Sequence, residues 1–404
     1  MIWVVGIGED GLDGLGKRAR GCIEAAQVLV GGVRHHGLVP DFAGDRVDWS
    51  GGIDAGLDAI EAYHQRGQAI VVLASGDPLY FGVGNNVVQR FGADAVQILP
   101  APGAVALACA AMGWSQPDVQ VVTIHGRPLE SLNRYLVAGE RLVVLSRDGD
   151  SPAEVAQLLT RQGYGASRIT VLAHLGGGDE TRFEGLAHAW PTGPSADLHT
   201  LAIELVADAT ARPFSRQAGL PDDAFEHDGQ LTKRAVRAVT LSSLAPLPGE
   251  MLWDLGAGAG SVAIEWMRSH ERCQAVAVER DPARAQRIER NAAAMGVPRL
   301  AVRVGDSFEA LDVLDGPPDA IFVGGGVSAP GLLAAAWRRL RPGGRLVANA
   351  VTPASATALE QFQQDYDGEL IHLAVNIKQN KKSLFVNKAP ITHYMGTKPA
   401  ENNT

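Results

Sequence analysis

The stretch from Met251 to Asp281 constrains the fold of this chain more than any other. An apolar run, Leu252 to Leu255, leads into glycines at alternate positions, Gly256, Gly258 and Gly260, and a second apolar run ends in Glu279. Glycine is needed where the backbone turns sharply and approaches a ligand closely, because a Cβ would obstruct both. The pattern therefore predicts a βαβ unit whose glycine turn opens the helix, with an acid where such folds bind ribose hydroxyls.

The spacing of these glycines separates two classes of nucleotide-binding loop. The dinucleotide fingerprint is Gly-x-Gly-x-x-Gly, whereas here the glycines alternate and Asp254 precedes them. This arrangement resembles the class I S-adenosylmethionine methyltransferases, whose ligand carries no pyrophosphate. Two later segments are similar to that family as well: Gly305-Asp306-Ser307 after the next predicted strand, and the turn and strand RPGGRLVANA (341–350). The alternative is an unrelated doubly wound fold with a tight βα turn.

The class I resemblance implies S-adenosylmethionine as the cofactor and a defined set of contacts. The acid after the second strand would bind the ribose, and Asp306 would face the adenine amino group, although it could instead cap a helix N-terminus. Thr232, in the leading Thr-Lys-Arg segment, would lie near the methionine carboxylate or the substrate. The cofactor-binding residues predicted for this half are Thr232, Asp254, Gly256, Ala257, Gly258, Ala259, Gly260, Glu279, Asp306 and Ser307.

Length and composition describe an ordinary multidomain protein. A chain of 404 residues predicts two or three domains, and 46% hydrophobic with 20% charged residues is typical of globular folds. The net charge of −9 provides no general attraction for nucleic acid or anionic membranes. The three cysteines fit neither a disulfide framework nor a metal site, and the chain starts with a strand rather than a signal peptide. We therefore expect a cytoplasmic protein without a metal.

The N-terminal half alternates predicted strands and helices, which indicates a mainly parallel sheet. Its opening segment VVGIG (4–8), the run SGDPLYFG (75–82) and the turn PAPG (100–103) resemble the tetrapyrrole methylases, whose fold is unrelated to class I. In that family the methyl donor lies folded in a cleft between two α/β subdomains, against the Gly-Asp-Pro segment. The resemblance implies that Gly76, Asp77 and Pro78 bind S-adenosylmethionine; the alternative is a turn without a ligand.

One difference from the family pattern indicates which branch of the tetrapyrrole methylases this half resembles. Many tetrapyrrole methylases have Gly-Pro-Gly-Asp in the first loop, whereas here Gly8 is followed by Glu9, Asp10 and Gly11. The branch that acts late in corrin synthesis is more similar. It also resembles the segments GGVRHH (31–36), IHGRP (124–128) and VLSRDGDSPAEVAQLL, which ends at Leu159.

Basic side chains in these segments are candidates for binding substrate carboxylates, because a guanidinium pairs with a carboxylate through two hydrogen bonds. The alternative is that these side chains belong to solvated loops and bind no ligand. His174 and His372 are interpreted as structural histidines, and the basic run from Lys378 to Lys382 as a solvated turn. The predicted substrate-binding residues are Arg34, His35 and Arg127 in the first half and Lys233 and Arg234 in the second.

These patterns predict an α/β protein made of two fused folds. A two-subdomain tetrapyrrole methylase fold is assigned to residues 1–207, and a polar, proline-containing stretch at 208–229 is assigned to a linker. A Rossmann-like class I fold is assigned to residues 230–396, and a tail at 397–404 is expected to be disordered. The segment 378–394 differs from the C-terminal sequence that is usual in the family that the second half resembles.

The order of the two folds resembles a family of bifunctional corrin methyltransferases of cobalamin biosynthesis. The resemblance implies methylation of precorrin-6B at C5 by the N-terminal half, and methylation at C15 with decarboxylation of the C12 acetate by the C-terminal half. It also implies one S-adenosylmethionine per half and a homo-oligomer, with a tetrapyrrole rather than nucleic acid or membrane as the partner. Catalytic residues are not assigned, because methyl transfer from a sulfonium depends mainly on positioning.

Two alternatives stay open at this point. A methyltransferase acting on nucleic acid or another small molecule is the first. Nucleic acid is disfavoured by the acidic charge and by Gly324-Gly325-Gly326, which stands where base-amine methyltransferases have Asn/Asp-Pro-Pro-Tyr. In the second, one half is a non-catalytic scaffold for the other. Both halves keep donor-site segments, which argues against a scaffold. The number of donor molecules bound per chain would distinguish two active sites from one active site and a scaffold.

Overall fold

The structure is a computed structural model that describes residues 1–378, 385–387 and 390–400. The chain is divided into an N-terminal unit, residues 1–127 and 137–212, and a C-terminal unit, residues 128–136 and 213–404. Both units are α/β, which confirms the predicted fold class. None of the helices in the described ranges is long and apolar enough to cross a bilayer.

The first subdomain of the N-terminal unit is built on a parallel five-stranded sheet. Its elements are β1 (Ile2–Ile7), α1 (Lys17–Glu24), β2 (Val28–Val30), α2 (Val33–Gly37), β3 (Asp45–Val47), α3 (Ile53–Gln65), β4 (Ile70–Ser75), α4 (Gly84–Phe91) and β5 (Val96–Leu99). The strand order is β3-β2-β4-β1-β5, with all pairs parallel. The central strands are buried runs of Val, Ile and Leu, as a parallel sheet covered on both faces requires.

The second subdomain is built on a mixed five-stranded sheet. Its elements are α5 (Ala104–Met112), β6 (Gln120–Thr123), β7 (Arg141–Leu145), α6 (Ser151–Arg161), β8 (Arg168–Ala173), β9 (Thr181–Leu186) and β10 (His199–Glu204). The strand order is β6-β7-β10-β8-β9, and β10 runs antiparallel to both β7 and β8. The carboxyl ends of β6, β7 and β8 therefore lie at one edge, together with the amino end of β10.

The C-terminal unit contains the βαβ unit predicted from the glycine loop. Its elements are α7 (Arg234–Leu244), β11 (Met251–Leu255), α8 (Ser261–Ser269), β12 (Gln274–Glu279), α9 (Pro282–Ala294), β13 (Ala301–Val304), α10 (Ser307–Val313), β14 (Ala320–Val323), α11 (Leu332–Arg339), β15 (Arg345–Ala350), α12 (Pro353–Tyr366), β16 (Glu369–Leu373), β17 (Asn376–Lys378), β18 (Phe385–Asn387) and β19 (Ile391–Thr397). The main sheet has the order β13-β12-β11-β14-β15-β19-β16, and only β19 runs against its neighbours among these described strands.

The C-terminal unit begins earlier than the sequence predicts. Leu220 and Phe225 are 3% and 4% exposed. The carboxylate of Glu265 accepts hydrogen bonds from the backbone N–H groups of Gly219 (2.6 Å) and Leu220 (3.0 Å). Much of the stretch predicted as a linker is therefore packed into this unit, because its apolar side chains and backbone donors find partners there.

A short piece of the N-terminal half also belongs to the C-terminal unit. The segment Pro128–Leu136 places Leu132 in a fully buried position. Its side chains make three hydrogen bonds within the unit: Asn133 to the carbonyl of Ala293 (3.1 Å), Arg134 to the carbonyl of Arg268 (2.9 Å), and the Tyr135 hydroxyl to the carboxylate of Glu271. The chain therefore passes between the units at three places, whereas the predicted boundaries imply one.

The end of the chain differs from the prediction as well. The expected tail starts inside β19, and Lys398 exchanges backbone hydrogen bonds with Gly343 and Gly344 at 2.9 Å. These bonds hold residues 397–398 against the sheet. Residues 401–404 of the predicted tail, and residues 379–382 of the predicted solvated turn, lie outside the described residues.

Candidate functional site

The glycine loop lies where β11 ends and α8 begins, at the carboxyl edge of the parallel strands. Gly256 has φ +72°, and a Cβ on it would lie 2.7 Å from the Cα of Gly325. Gly258 has φ +61°, and its Cβ would lie 2.9 Å from the carbonyl oxygen of Gln230. Both the backbone conformation and the available space disfavour a side chain, so the loop presents bare backbone to a ligand.

Glu279 ends β12 beside this loop and is 4% exposed. Its carboxylate accepts hydrogen bonds from the N–H groups of Gly258 (2.8 Å) and Asp281 (3.1 Å). Each carboxylate oxygen can accept a further bond. Glu279 therefore fixes the conformation of the loop and can still accept hydrogen bonds from a ligand's hydroxyl groups.

Asp306 and Ser307 follow β13 in the chain. One oxygen of Asp306 accepts hydrogen bonds from the N–H groups of Phe308 (2.8 Å) and Glu309 (3.4 Å) at the start of α10. The N-cap role considered as an alternative is therefore present. Both bonds use the same carboxylate oxygen, so the cap is compatible with a ligand contact, which stays a prediction.

The segment before α7 borders the loop at Gln230. The carbonyl of Thr232 accepts a hydrogen bond from the buried guanidinium of Arg237. Lys233 occupies the N-cap position of α7 and is half-buried, while Arg234 is exposed. Within the loop itself, the N–H of Ala257 donates to Val278 (3.0 Å), and Ala259 and Gly260 are buried.

Asp254 lies beneath the glycine loop at the end of β11 and is fully buried. One carboxylate oxygen accepts a hydrogen bond from the N–H of Ala263 at 3.1 Å, and the other has no partner among the described residues. Burial raises the pKa of Asp254 to about 7, and the nearby charge of Glu279 adds to the rise. A protonation equilibrium near neutral pH therefore lies directly under the loop.

We expect an Asp254→Asn variant to gain stability relative to the wild type as the pH rises from about 5 to about 7. The pKa of Asp254 is about 7 in the folded state against 3.8 as its ordinary value, so in this window the folded state keeps a proton that the unfolded state has lost. The contribution of Asp254 to the unfolding free energy then falls by about 1.4 kcal/mol per pH unit. Urea denaturation of both chains across this range measures the change. A pH-independent difference would mean that Asp254 is ionised throughout.

In the N-terminal unit, the carboxyl edges of both sheets line a cavity of about 690 Å³. Gly76 and Asp77 line this cavity, and Pro78 is buried next to them. The carbonyl of Gly76 accepts a hydrogen bond from Ala101 (3.3 Å), and the carboxylate of Asp77 accepts one from Leu79 (2.9 Å). Cavities of this size at the carboxyl ends of parallel strands are where α/β folds bind ligands.

Two of the predicted substrate cations lie together at this cavity. Arg34 forms an ion pair with Glu9 and donates to the hydroxyl of Ser75 (2.5 Å), and a ring nitrogen of His35 lies 3.0 Å from the same hydroxyl. Burial, with the charges of Arg34 and His36, lowers the pKa of His35 to about 4. His35 is therefore neutral near pH 7 and offers hydrogen bonds rather than the positive charge that the sequence predicts.

Arg127 lies at the same cavity, stacked on an aromatic side chain. Its guanidinium carbon is 5.5 Å from the centroid of the Phe81 ring, and the Tyr80 ring meets the Phe81 ring edge to face at 4.9 Å. Phe81 is 53% exposed and has φ +57°. A cation and an aromatic pair thus lie side by side at this cavity, and their chemistry suits a flat, conjugated ligand that carries carboxylates.

His174 also lines the cavity, although the sequence indicated a structural histidine. Its Nδ1 lies 3.0 Å from the Glu9 carboxylate, and its backbone has φ +50°. A strained backbone at a cavity is typical of functional sites. The unusual acid at position 9 was the sequence signal for this contact, but Glu9 and His174 are far apart in the sequence.

Comparisons with known proteins match both halves of the chain. Residues 1–189 match the family model described as Tetrapyrrole (Corrin/Porphyrin) Methylases, and residues 223–398 match the model described as Precorrin methyltransferase domain. A protein of Sinorhizobium sp named precorrin-6Y C(5,15)-methyltransferase (decarboxylating) is 43% identical over 400 residues, which cover 99% of this chain and 94% of that protein.

Two relatives named for a single methylation each match less than half of the chain. A cobalt-precorrin-7 C(5)-methyltransferase of Salmonella typhimurium is 37% identical over 166 residues, covering 41% of this chain and 80% of that protein. A probable cobalt-precorrin-6B C(15)-methyltransferase (decarboxylating) of Sulfurisphaera tokodaii is 28% identical over 191 residues, covering 46% of this chain and 100% of that protein.

Proposed function

The chain belongs to the family of precorrin-6Y C5,15-methyltransferases (decarboxylating), and we propose that it has the activity in that name. It methylates C5 and C15 of precorrin-6Y, which is also called precorrin-6B, and decarboxylates the acetate on C12. The methyl donor is S-adenosylmethionine. The observation that carries the proposal is the full-length similarity to a relative of that name, in a chain that holds both a glycine loop and a separate lined cavity.

S-adenosylmethionine supplies a methyl group on a sulfonium, so the protein has mainly to hold an electron-rich carbon close to it and exclude water. We assign Arg34 and Arg127 to substrate carboxylates and the Phe81 ring to the macrocycle. Their position in the lining of the N-terminal cavity supports this assignment. Because Arg34 is already paired with Glu9, a substrate carboxylate would have to share or replace that partner.

In the C-terminal unit, the glycine loop and Glu279 support the assignment of a donor site. Gly256 and Gly258 leave backbone uncovered, and Glu279 can accept hydrogen bonds from hydroxyl groups. Asp254 is fully buried beneath the loop, so we propose that it supports the donor site through its hydrogen bond from Ala263 at the start of α8. Lys233 and Arg234, next to the segment that borders the loop, are the cations we assign to substrate carboxylates.

Decarboxylation breaks the bond between the acetate methylene and its carboxyl carbon. The electron pair passes into the conjugated imine system of the substrate, carbon dioxide leaves, and the methylene carbon then takes a proton to become a methyl group. Because the substrate itself accepts the electrons, the chain's residues need only hold the carboxylate and the ring.

We assign C5 methylation to the N-terminal half and C15 methylation with decarboxylation to the C-terminal half. The two single-methylation relatives, each similar to less than half of this chain, support a division of this kind. We propose that the residues needed for catalysis lie within 1–207 and 230–396, although residues 128–136 and 213–229 belong to the C-terminal unit. We also propose a homo-oligomer, supported by the exposed edge strand β13, where Val304 is 58% exposed. The proposed absence of a nucleic acid partner is supported by the net charge of −9.

Calorimetric titration of the full chain with S-adenosylhomocysteine is expected to give two molecules bound per chain. This number follows from the proposal that each half has its own donor contacts. NAD, whose pyrophosphate the alternating glycines do not match, serves as the control and should not compete. A stoichiometry of one would instead support the alternative in which one half is a scaffold.

A further inference from the structure

His174 and Glu9 form a histidine–carboxylate pair in the lining of the N-terminal cavity. Nδ1 of His174 lies 3.0 Å from one oxygen of the Glu9 carboxylate, and the other oxygen is paired with Arg34. The two side chains come from different sheets, because Glu9 follows β1 and His174 follows β8. The hydrogen bond between them therefore joins the two subdomains of this unit at the cavity.

The shared proton of this pair lies on the histidine. Burial of Glu9 opposes its ionisation, but the hydrogen bond from His174 and the charge of Arg34 outweigh burial and lower the pKa of Glu9. An ionised carboxylate can only accept hydrogen bonds, so Nδ1 of His174 carries a hydrogen and donates it. In a neutral imidazole held in this way, Nε2 has a free lone pair and can take up a proton.

Nε2 of His174 is accessible. It has no hydrogen-bond partner among the described residues, and it is not one of the side-chain atoms that are buried there without a partner. The side chain of His174 is 32% exposed, against 17% for Glu9. Since Glu9 occupies the Nδ1 side of a ring that lines the cavity, Nε2 is the ring nitrogen available to a molecule bound there.

The other histidines that line the cavity lack this combination. Both ring nitrogens of His35 are engaged, by the N–H of Gly32 (3.2 Å) and the hydroxyl of Ser75 (3.0 Å), and its pKa of about 4, lowered by burial, makes it a weak base. Nε2 of His199 is buried. His125 is exposed and forms no ion pair within the described ranges. His174 therefore stands apart as a free ring nitrogen backed by a carboxylate.

The reaction assigned to this half releases a proton. C5 attacks the methyl group of the donor, the carbon–sulfur bond breaks, and its electron pair stays on sulfur in the neutral thioether of S-adenosylhomocysteine. The hydrogen that C5 carried then leaves as a proton, and its bonding electron pair returns to the conjugated system, which removes the positive charge from the substrate. One proton is therefore accepted in each turnover, and a positioned base typically accelerates such a step about 100- to 10,000-fold.

We propose that His174 is the catalytic base of C5 methylation and takes this proton on Nε2. Glu9 is a positioning residue: it holds the ring through Nδ1, and its negative charge stabilises the imidazolium that forms. Because the His174 side chain is partly exposed, the proton then passes to water and the base is restored. This inference rests on the proposed function, since it takes C5 methylation to occur in the N-terminal cavity.

His174→Asn separates a base from a structural residue. The backbone of His174 has φ +50°, which asparagine adopts more readily than most residues, and the asparagine amide can still donate to Glu9. It has no nitrogen that takes up a proton. Mass spectrometry of the full chain with precorrin-6Y and S-adenosylmethionine should show formation of the C5-methylated product slowed at least about 100-fold. Calorimetry in chains that also carry Gly258→Arg should show the affinity for S-adenosylhomocysteine unchanged within about threefold.

Two further chains complete the test. In His174→Gly, glycine takes a positive φ without strain and leaves the space of the imidazole empty. Added imidazole should therefore accelerate its C5 methylation at least about tenfold. His64→Asn is the matched control, because His64 lies in α3 and does not line the cavity. It should methylate C5 at the wild-type rate, and imidazole should accelerate neither this control nor the wild type.

C5 methylation by His174→Asn within about threefold of the wild-type rate would overturn the proposal, since an asparagine can replace only a structural histidine. So would a loss of S-adenosylhomocysteine affinity as large as the loss of rate, or a His174→Gly chain that imidazole does not accelerate. Failure of the proposed function looks different. A Gly258→Arg chain with His174 intact that bound no S-adenosylhomocysteine would show that the N-terminal cavity is not a donor site, and the inference would fall with it.

Discussion

The Gly258→Arg chain is expected to convert precorrin-6Y only as far as a C5-methylated product that keeps all of its carboxyl groups, or to give no product if C15 methylation must come first. Gly258 has φ +61°, and its Cβ would already lie 2.9 Å from the carbonyl of Gln230. An arginine there displaces the loop and fills the space where the donor would bind. Displacement by about 1 Å is enough to cost about 100-fold in rate, so C15 methylation and carbon dioxide release should become undetectable.

Product mass spectrometry and measurement of released carbon dioxide check this prediction. Gly316→Arg is the matched control, since Gly316 has φ +66° but nothing lies within 4 Å of its Cβ position. It introduces the same residue and similar backbone strain in the same unit, and both reactions should persist. Carbon dioxide released by the Gly258→Arg chain would place decarboxylation outside the glycine-loop site.

Glu265→Ala is expected to destabilise the C-terminal unit by about 3–5 kcal/mol, the usual cost of breaking a buried ion pair. The side chains of Arg237 and Glu265 are 0% and 3% exposed, and Nε of Arg237 lies 2.6 Å from the carboxylate. The same carboxylate holds the backbone of Gly219 and Leu220. Its removal leaves a buried guanidinium short of a partner and releases the start of the unit.

Urea denaturation followed by tryptophan fluorescence measures this loss, because Trp253 and Trp266 are buried in the same unit. Glu265→Gln should fall between the wild type and Glu265→Ala, since an amide oxygen can still accept from the backbone. Arg90→Ala is the control for an exposed ion pair, as Arg90 is 44% exposed in its contacts with Asp58 and Glu61. It should change stability little. An equal effect of Arg90→Ala and Glu265→Ala would contradict the assignment.

The glycine loop was predictable because its information is local. Gly256 and Gly258 occupy positive-φ positions that other residues adopt with strain, and Glu279 follows within one βαβ unit. The role of the Gly76-Asp77 turn was implied by the resemblance to the tetrapyrrole methylases, and its contact with a methyl donor stays a prediction. The turn does line the cavity of the N-terminal unit, but the other lining residues come from distant parts of that unit.

Contacts between distant parts of the chain could not be predicted in this way. Glu9 and His174 meet across 165 residues, and His174 alone looked like an ordinary structural histidine. The neutral state of His35 follows from its burial, which its neighbours in sequence do not reveal. The stretch 208–229 looked polar enough for a linker, yet the buried Glu265 holds the backbone of Gly219 and Leu220 within it.

The segment Pro128–Leu136 has a consequence for the synthesis of the protein on the ribosome. Leu132 and Tyr135 emerge with the N-terminal half, but α9 and the residues around Arg268 that cover them come much later in the chain. At roughly 5–20 residues per second, the delay is roughly eight to thirty seconds. During that time the side chains of Leu132 and Tyr135 lack the residues that bury them in the complete chain.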